Sequence, residues 1–210
     1  MPDRFLHRLA LAALALVVAA CASTTIRSAW YDSTYTGGAF RRLVVVGSHA
    51  NIAVRRAFED AFVQRLQADG VDAVPGYRVL PADAAPGDPV WNAAVEASGA
   101  DGLLAVRLLR VDTRTQVMTT MMPAPMMGGP YGYGYGYGYG WGPAMVAVPE
   151  VTQYDVASVE TNLWDARTKR VVWAATTDTV NPSSVQQEAP GFADLIIGQL
   201  TARGLLLRGK

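Results

Sequence analysis

The chain has 210 residues, 18 Lys and Arg against 18 Asp and Glu, and only 17% of it is charged. That balance excludes a dedicated nucleic-acid binder, which needs a Lys/Arg surplus to displace phosphate counterions. Half of the residues are apolar, yet no run reaches bilayer-spanning length, and one Cys with two His excludes an internal disulfide and a Cys/His zinc site.

Arg4 and Arg8 precede the apolar run Leu9 to Ala20, which ends in small residues just before Cys21. A basic start, a short apolar stretch and a small-residue junction make a secretory signal peptide over residues 1–20. The junction Val17-Val18-Ala19-Ala20-Cys21 resembles the lipobox of bacterial lipoproteins. There the Cys is lipidated on sulfur, the signal is cut before it and the new amino terminus is acylated. Cys21 is therefore the expected lipidation site, and the alternative is an ordinary secretory signal with a chance Cys at its end.

Residues 21–40 are rich in Ser, Thr and Gly and read as the lipidated Cys and a tether whose later part lies against the fold. The apolar run Leu43-Val44-Val45-Val46 predicts a strand covered on both faces. From Ala53 to Ala68 the spacing of Val54, Phe58, Ala61, Phe62 and Leu66 predicts a helix, with Arg55, Glu59, Asp60 and Gln67 off that face and Gly70 as its stop. Val71 to Leu80 reads as a second strand, interrupted by Pro75-Gly76. Asp88-Pro89 opens a helix that ends near Ser98-Gly99.

Leu103 to Val117 predicts a long strand, first apolar on both faces and then alternating with Arg110, Asp112, Arg114 and Gln116. Val151–Trp164 and Arg170–Val180 form a hairpin around Asp165 to Lys169. A last helix runs from about Ala189 to Arg203, with Phe192, Leu195, Ile196 and Leu200 inward. The order β-α-β-α-β-β-β-α predicts one α/β (α+β) domain over residues 41–205. It should hold a mixed sheet of about five strands with three helices packed on it.

Residues 118–149 interrupt that domain with a low-complexity insert. It opens with Met118, Met121, Met122, Met126 and Met127 and continues with Tyr131, Tyr133, Tyr135, Tyr137 and Tyr139, each followed by Gly, then Trp141. Thioethers are soft ligands that suit Cu(I), so these Met are weak copper candidates with no His or Cys beside them. The Tyr-Gly alternation would set every Tyr, with Trp141, on one strand face, a possible contact surface for glycan rings or a like segment. A membrane-touching loop is a third reading. The plain alternative is a loop whose glycines resist ordering.

Ser48-His49 follows the first strand of this domain, where α/β folds place ligand sites, and offers a hydrolase reading. A Ser–His pair also needs an orienting group and an oxyanion hole, and no nucleophile-elbow pattern is present. The simpler reading is a polar turn before the helix. Arg55–Glu59 and Arg56–Asp60 are spaced i,i+4 and read as intrahelical ion pairs. No catalytic constellation is found, so neither an enzyme nor a cofactor is expected.

Trp30-Tyr31-Asp32-Ser33-Thr34-Tyr35-Thr36-Gly37 ahead of Leu43-Val44-Val45-Val46, Gly99-Ala100-Asp101-Gly102, and Asp165-Ala166-Arg167-Thr168 before Val171-Val172-Trp173 together resemble uncharacterised proteobacterial envelope lipoproteins. In element order the chain is also similar to penicillin-binding-protein activator lipoproteins and to the periplasmic domain of the curli secretion channel lipoprotein. The resemblance implies a non-enzymatic envelope factor that docks on another protein, and it carries over no binding residue. Ala22, where an Asp would resemble an inner-membrane retention signal, leads to an expected place on the periplasmic face of the outer membrane. The expected function is that of a lipid-anchored interaction or assembly module. The alternatives are a copper- or glycan-binding module that uses the insert, and a hydrolase.

Overall fold

The structure, a computed structural model, describes residues 23–81, 87–123 and 145–207. Among them lie strands β1 (Ser23–Tyr31), β2 (Arg42–Ser48), β3 (Asp72–Pro75), β4 (Gly102–Pro123), β5 (Met145–Asp165) and β6 (Arg170–Val180). The helices are α1 (Ile52–Ala68), α2 (Gly76–Val79), α3 (Pro89–Ala97) and α4 (Val185–Ala202). The chain packs as two compact units: Met1–Asp112 with Asp155–Lys210, and Thr113–Tyr154. Strands β4 and β5 contribute residues to both.

In the first unit the sheet order is β1-β6-β5-β4-β2-β3. β2 runs parallel to both β3 and β4, whereas β6 is antiparallel to β1 and to β5. This is the expected mixed sheet with helices on it, with six strands and four helices among the described residues instead of five and three. Alternation along β2 divides the core. Leu43 and Val45 face Phe62, Leu66, Phe192 and Ile196 of α1 and α4. Val44 and Val46 face Trp91 and Val95 of α3 on the other side. Helices on both faces are why β2 is apolar at every position from 43 to 46. The α1 helix stops as expected at Gly70, whose φ of +81° is the left-handed conformation of a C-terminal cap.

Two expectations about local structure need correcting. The tether expected over 21–40 holds a strand: β1 pairs with β6 from Ser23 opposite Val180 to Tyr31 opposite Trp173. Thr24, Thr25, Ile26, Trp30 and Tyr31 are all good strand formers, and β1 covers what would be the open edge of β6. Where one strand is expected from Val71 to Leu80, β3 ends at Pro75 and α2 begins at Gly76. Gly76 is required there, because a Cβ would stand 2.9 Å from Val46 Cγ2 and 3.0 Å from the Val45 carbonyl oxygen.

The second unit holds the far parts of β4 and β5. Strand structure therefore extends to Pro123 and resumes at Met145, inside the stretch expected as an insert. Its apolar side chains are open to solvent, among them Val117, Met118, Met121, Met122, Val146 and Val151.

Candidate functional site

β2 and β3 are parallel, so their carboxyl ends lie at one end of the parallel part of the sheet, beside Ala105–Arg107 of β4, where open α/β sheets bind ligands. β2 ends there in Gly47 and Ser48, followed by His49. Two hollows flank this point. One is an apolar groove of about 310 Å³ with Phe58 of α1 and Val185 and Phe192 of α4 on one side and Val106, Ala157 and Val159 of the sheet on the other. Its floor joins an aromatic cluster in which the Phe58 and Phe192 rings lie 5.9 Å apart and Phe62 and Phe192 6.0 Å. Ser48, His49, Arg55 and Glu188 mark the polar rim. The other hollow, about 400 Å³, lies toward Tyr77 and Trp91.

Between the hollows sits Glu59, a residue expected off the buried face of α1. Its side chain is only 1% exposed. One carboxylate oxygen accepts the Gly47 N–H at 3.0 Å and the other accepts the Tyr77 N–H at 2.9 Å. The expected Arg55–Glu59 ion pair exists, with Nε 3.8 Å from Oε1. Burial pushes the Glu59 carboxyl above its ordinary value, and the two N–H donors and Arg55 only partly oppose that. Glu59 is thus a clasp between the end of β2 and the start of α2. Asp60 turns outward from the same helix to accept the Tyr77 hydroxyl at 2.8 Å, and Arg56 lies 5.2 Å above the Tyr77 ring. The second expected pair, Arg56–Asp60, is replaced by a shared grip on Tyr77.

His49 serves the turn. Its Nδ1 accepts the Asn51 N–H at 3.0 Å, while Asn51 Oδ1 accepts the N–H groups of Ala53 and Val54 and caps α1. That occupies the nitrogen a carboxylate would orient in a nucleophile–base pair. No cluster of His, Cys, Asp and Glu able to hold a metal ion occurs among the described residues. Met118, Met121 and Met122 lie in β4, where Met121 takes the opposite face from the other two. Met118 and Met122 are four residues apart, roughly 13 Å along a strand, too far to share one ion. Met126, Met127, Tyr131, Tyr133, Tyr135, Tyr137, Tyr139, Trp141 and the lipidation candidate Cys21 lie outside the described residues.

Sequence reasoning missed Glu59 because a charged residue four positions from an Arg reads as a surface pair. Its spacing to Phe62, Val63 and Leu66, i to i+3, i+4 and i+7, places it on the buried stripe. The groove was invisible for another reason, since its walls come from four separate parts of the chain.

A mixed six-stranded sheet with four helices among the described residues defines an α+β domain. The chain belongs to the family described as domain of unknown function DUF4136, whose model matches residues 91–200, just over half of it. It is similar to the PelC dodecamer from Paraburkholderia phytofirmans, at 15% identity and a TM-score of 0.44 over 89% of this chain and 100% of that one. It is also similar to lipoprotein GNA1162 from Neisseria meningitidis, at 11% identity and a TM-score of 0.37 over 77% of this chain and 96% of that one. No curated protein matches it.

Proposed function

We propose that the protein is a lipid-anchored, non-enzymatic interaction module of the bacterial envelope, held by lipid on Cys21 at the periplasmic face of the outer membrane. The anchor is supported by the basic start, the apolar run and the Cys that ends it. No helix among the described residues is long and apolar enough to cross a membrane.

The observation that carries the interaction reading is the second unit. Val117 is 60% exposed and Met121 61%, with Met118, Met122, Val146 and Val151 also open. Apolar side chains this numerous and this open on the far parts of β4 and β5 mark surface that a partner covers. Methionines add side chains that adapt to a partner's shape. The partner is an envelope protein, met through this two-stranded arm.

Photo-crosslinking residues placed at Val117, Met121 and Val151 of the lipidated protein in its native envelope test this. One discrete protein adduct shared by all three sites is expected, and adducts to lipid alone would overturn it. Cys21→Ser should abolish cleavage and lipid attachment, and a variant that still partitions with detergent like the wild type would remove the anchor.

A further inference from the structure

We infer that the apolar groove receives one of the acyl chains carried by Cys21, an inference that rests on the lipoprotein reading above. The first argument is register. Ser23, the first residue of β1, lies opposite Val180, and Thr24 Oγ1 is 2.9 Å from Thr179 Oγ1. Thr179 is itself part of the groove wall, as are Pro182 and Ser183 just beyond β6. Cys21 precedes Ser23 by two residues, so its Cα lies within about 7 Å of the start of β1. Neighbouring strands are about 4.8 Å apart, which tethers the lipid attachment point within about 12 Å of Val180, next to Thr179 in the groove wall. Because β1 occupies the stretch expected as a tether, little free chain remains to carry the lipid away.

The second argument is chemistry. Phe58, Val106, Val159, Val185 and Phe192 offer only carbon to an occupant. The nearest acid, Glu188, is turned to the rim, where it accepts the N–H of Ser183 at 3.1 Å and its hydroxyl at 2.7 Å. An alkyl chain asks for no hydrogen bond from these five side chains, whereas the N–H and C=O groups of a peptide occupant would have to reach the polar groups of Ser48, Thr179 or Ser184 elsewhere in the lining. A 150 Å³ apolar cavity holds a benzene ring, so about 310 Å³ has room for an alkyl segment of roughly ten carbons.

The third argument is anchorage. A bacterial lipoprotein with a diacylglyceryl group on sulfur and an acyl group on nitrogen carries three chains. One chain alone holds a protein only marginally and two hold it stably. Seating one chain in the groove leaves two in the bilayer. The sheet end that carries the groove would then rest close to the membrane surface.

The test uses the full-length lipidated protein, made in cells fed a fatty acid with a photoreactive diazirine near its tail. After irradiation in the envelope and digestion, the lipid-bearing amino-terminal peptide should be joined to peptides that contain Val106, Val159 or Phe192. Leu108→Trp, at an exposed position of the groove wall, should lower this product about fivefold, as a loss of about 1 kcal/mol in occupancy would. The label on Cys21 should stay unchanged. Labelled Cys21 joined only to phospholipid, or to another protein, would overturn the groove inference and leave the anchor standing. Absence of label from Cys21 would overturn the anchor, and this inference with it.

Discussion

Strand β4 shows what one run of residues does in two settings. In the first unit Leu103, Leu104 and Val106 are buried while Leu108, Leu109 and Val111 beyond them are exposed, and in the second Val117, Met118, Met121 and Met122 lie open. Strand-forming residues and apolar side chains occur in both. The difference is cover: α3 packs over Leu103, and α1 and α4 over Leu104 and Val106. Apolar content therefore does not define a core. A core is apolar content that another element has removed from water, and the arm is apolar content still in reach of a partner.

The comparison breaks most visibly at Phe62, which is fully buried beside Phe58 and Phe192. Phe62→Ala should cost about 3–5 kcal/mol in denaturant unfolding, through lost transfer energy and the cavity left behind. A cost under about 1 kcal/mol would mean that the site collapses freely and the core is not packed as described.

Next in size is Glu59. Glu59→Ala leaves the Gly47 and Tyr77 N–H groups without their acceptor, at about 3 kcal/mol in total. Glu59→Gln keeps an acceptor for one of them and should cost less. The pH dependence has a definite sign. Burial raises the Glu59 pKa above its ordinary value of 4.5, so between the two values the folded state holds a proton that the unfolded chain has lost. Its contribution is complete below about pH 4.5 and is lost as pH rises through the raised value. Asp32 acts in the opposite sense. The Thr34 hydroxyl and amide donate to it at 2.6 and 2.9 Å and hold its carboxyl below 3.8, so its contribution is present above that value and is lost as pH falls. The stability of the wild type relative to Glu59→Gln should rise as pH falls through the raised value. Parallel curves would refute the clasp as a titrating group.

A smaller loss tests how tight the core is. A Cβ on Gly102 would stand 2.6 Å from Phe40 Cδ1 and 2.7 Å from Leu43 Cδ2. Gly102→Ala should cost about 1–3 kcal/mol by overpacking, measured as a shift of the urea midpoint at unchanged slope. A neutral result would show that the start of β4 can move.

Much of the fold was legible from pattern alone. The run at 43–46 carries the signature of a doubly covered strand, and Phe58, Phe62 and Leu66 carry that of a helix face. Strand β1 was not legible in that way, because its partner β6 supplies main-chain bonds more than burial, and hydropathy does not register such bonds. Thr24, Thr25, Ile26, Trp30 and Tyr31 held a propensity signal that its Ser and Thr content obscured. At the site, sequence pointed to Ser48 and His49, which lie on the groove rim but serve the turn. The groove itself depends on α4 being laid beside α1, a long-range arrangement on which the exposed Arg65–Asp194 pair also sits, with Nε 2.6 Å from Oδ1. No local window contains that information.

The smallest expected effect on stability is also the one that distinguishes the two regions best. Val117→Ser and Met121→Ser replace apolar groups that are already solvated, so neither creates a cavity or strands a buried polar atom. Surface changes of this kind stay within about 0.5 kcal/mol, and the unfolding midpoint should hardly move. Serine lowers strand preference slightly, which sets the expected sign as a small loss. The same substitutions should remove the protein adduct formed from a crosslinker at Val151, because they erase apolar area that a partner would cover. A double variant with wild-type stability and no adduct would identify the arm as a binding surface. If the double variant instead lost several kcal/mol, those side chains would belong to a packed core, and the contrast between the two halves of β4 would fail.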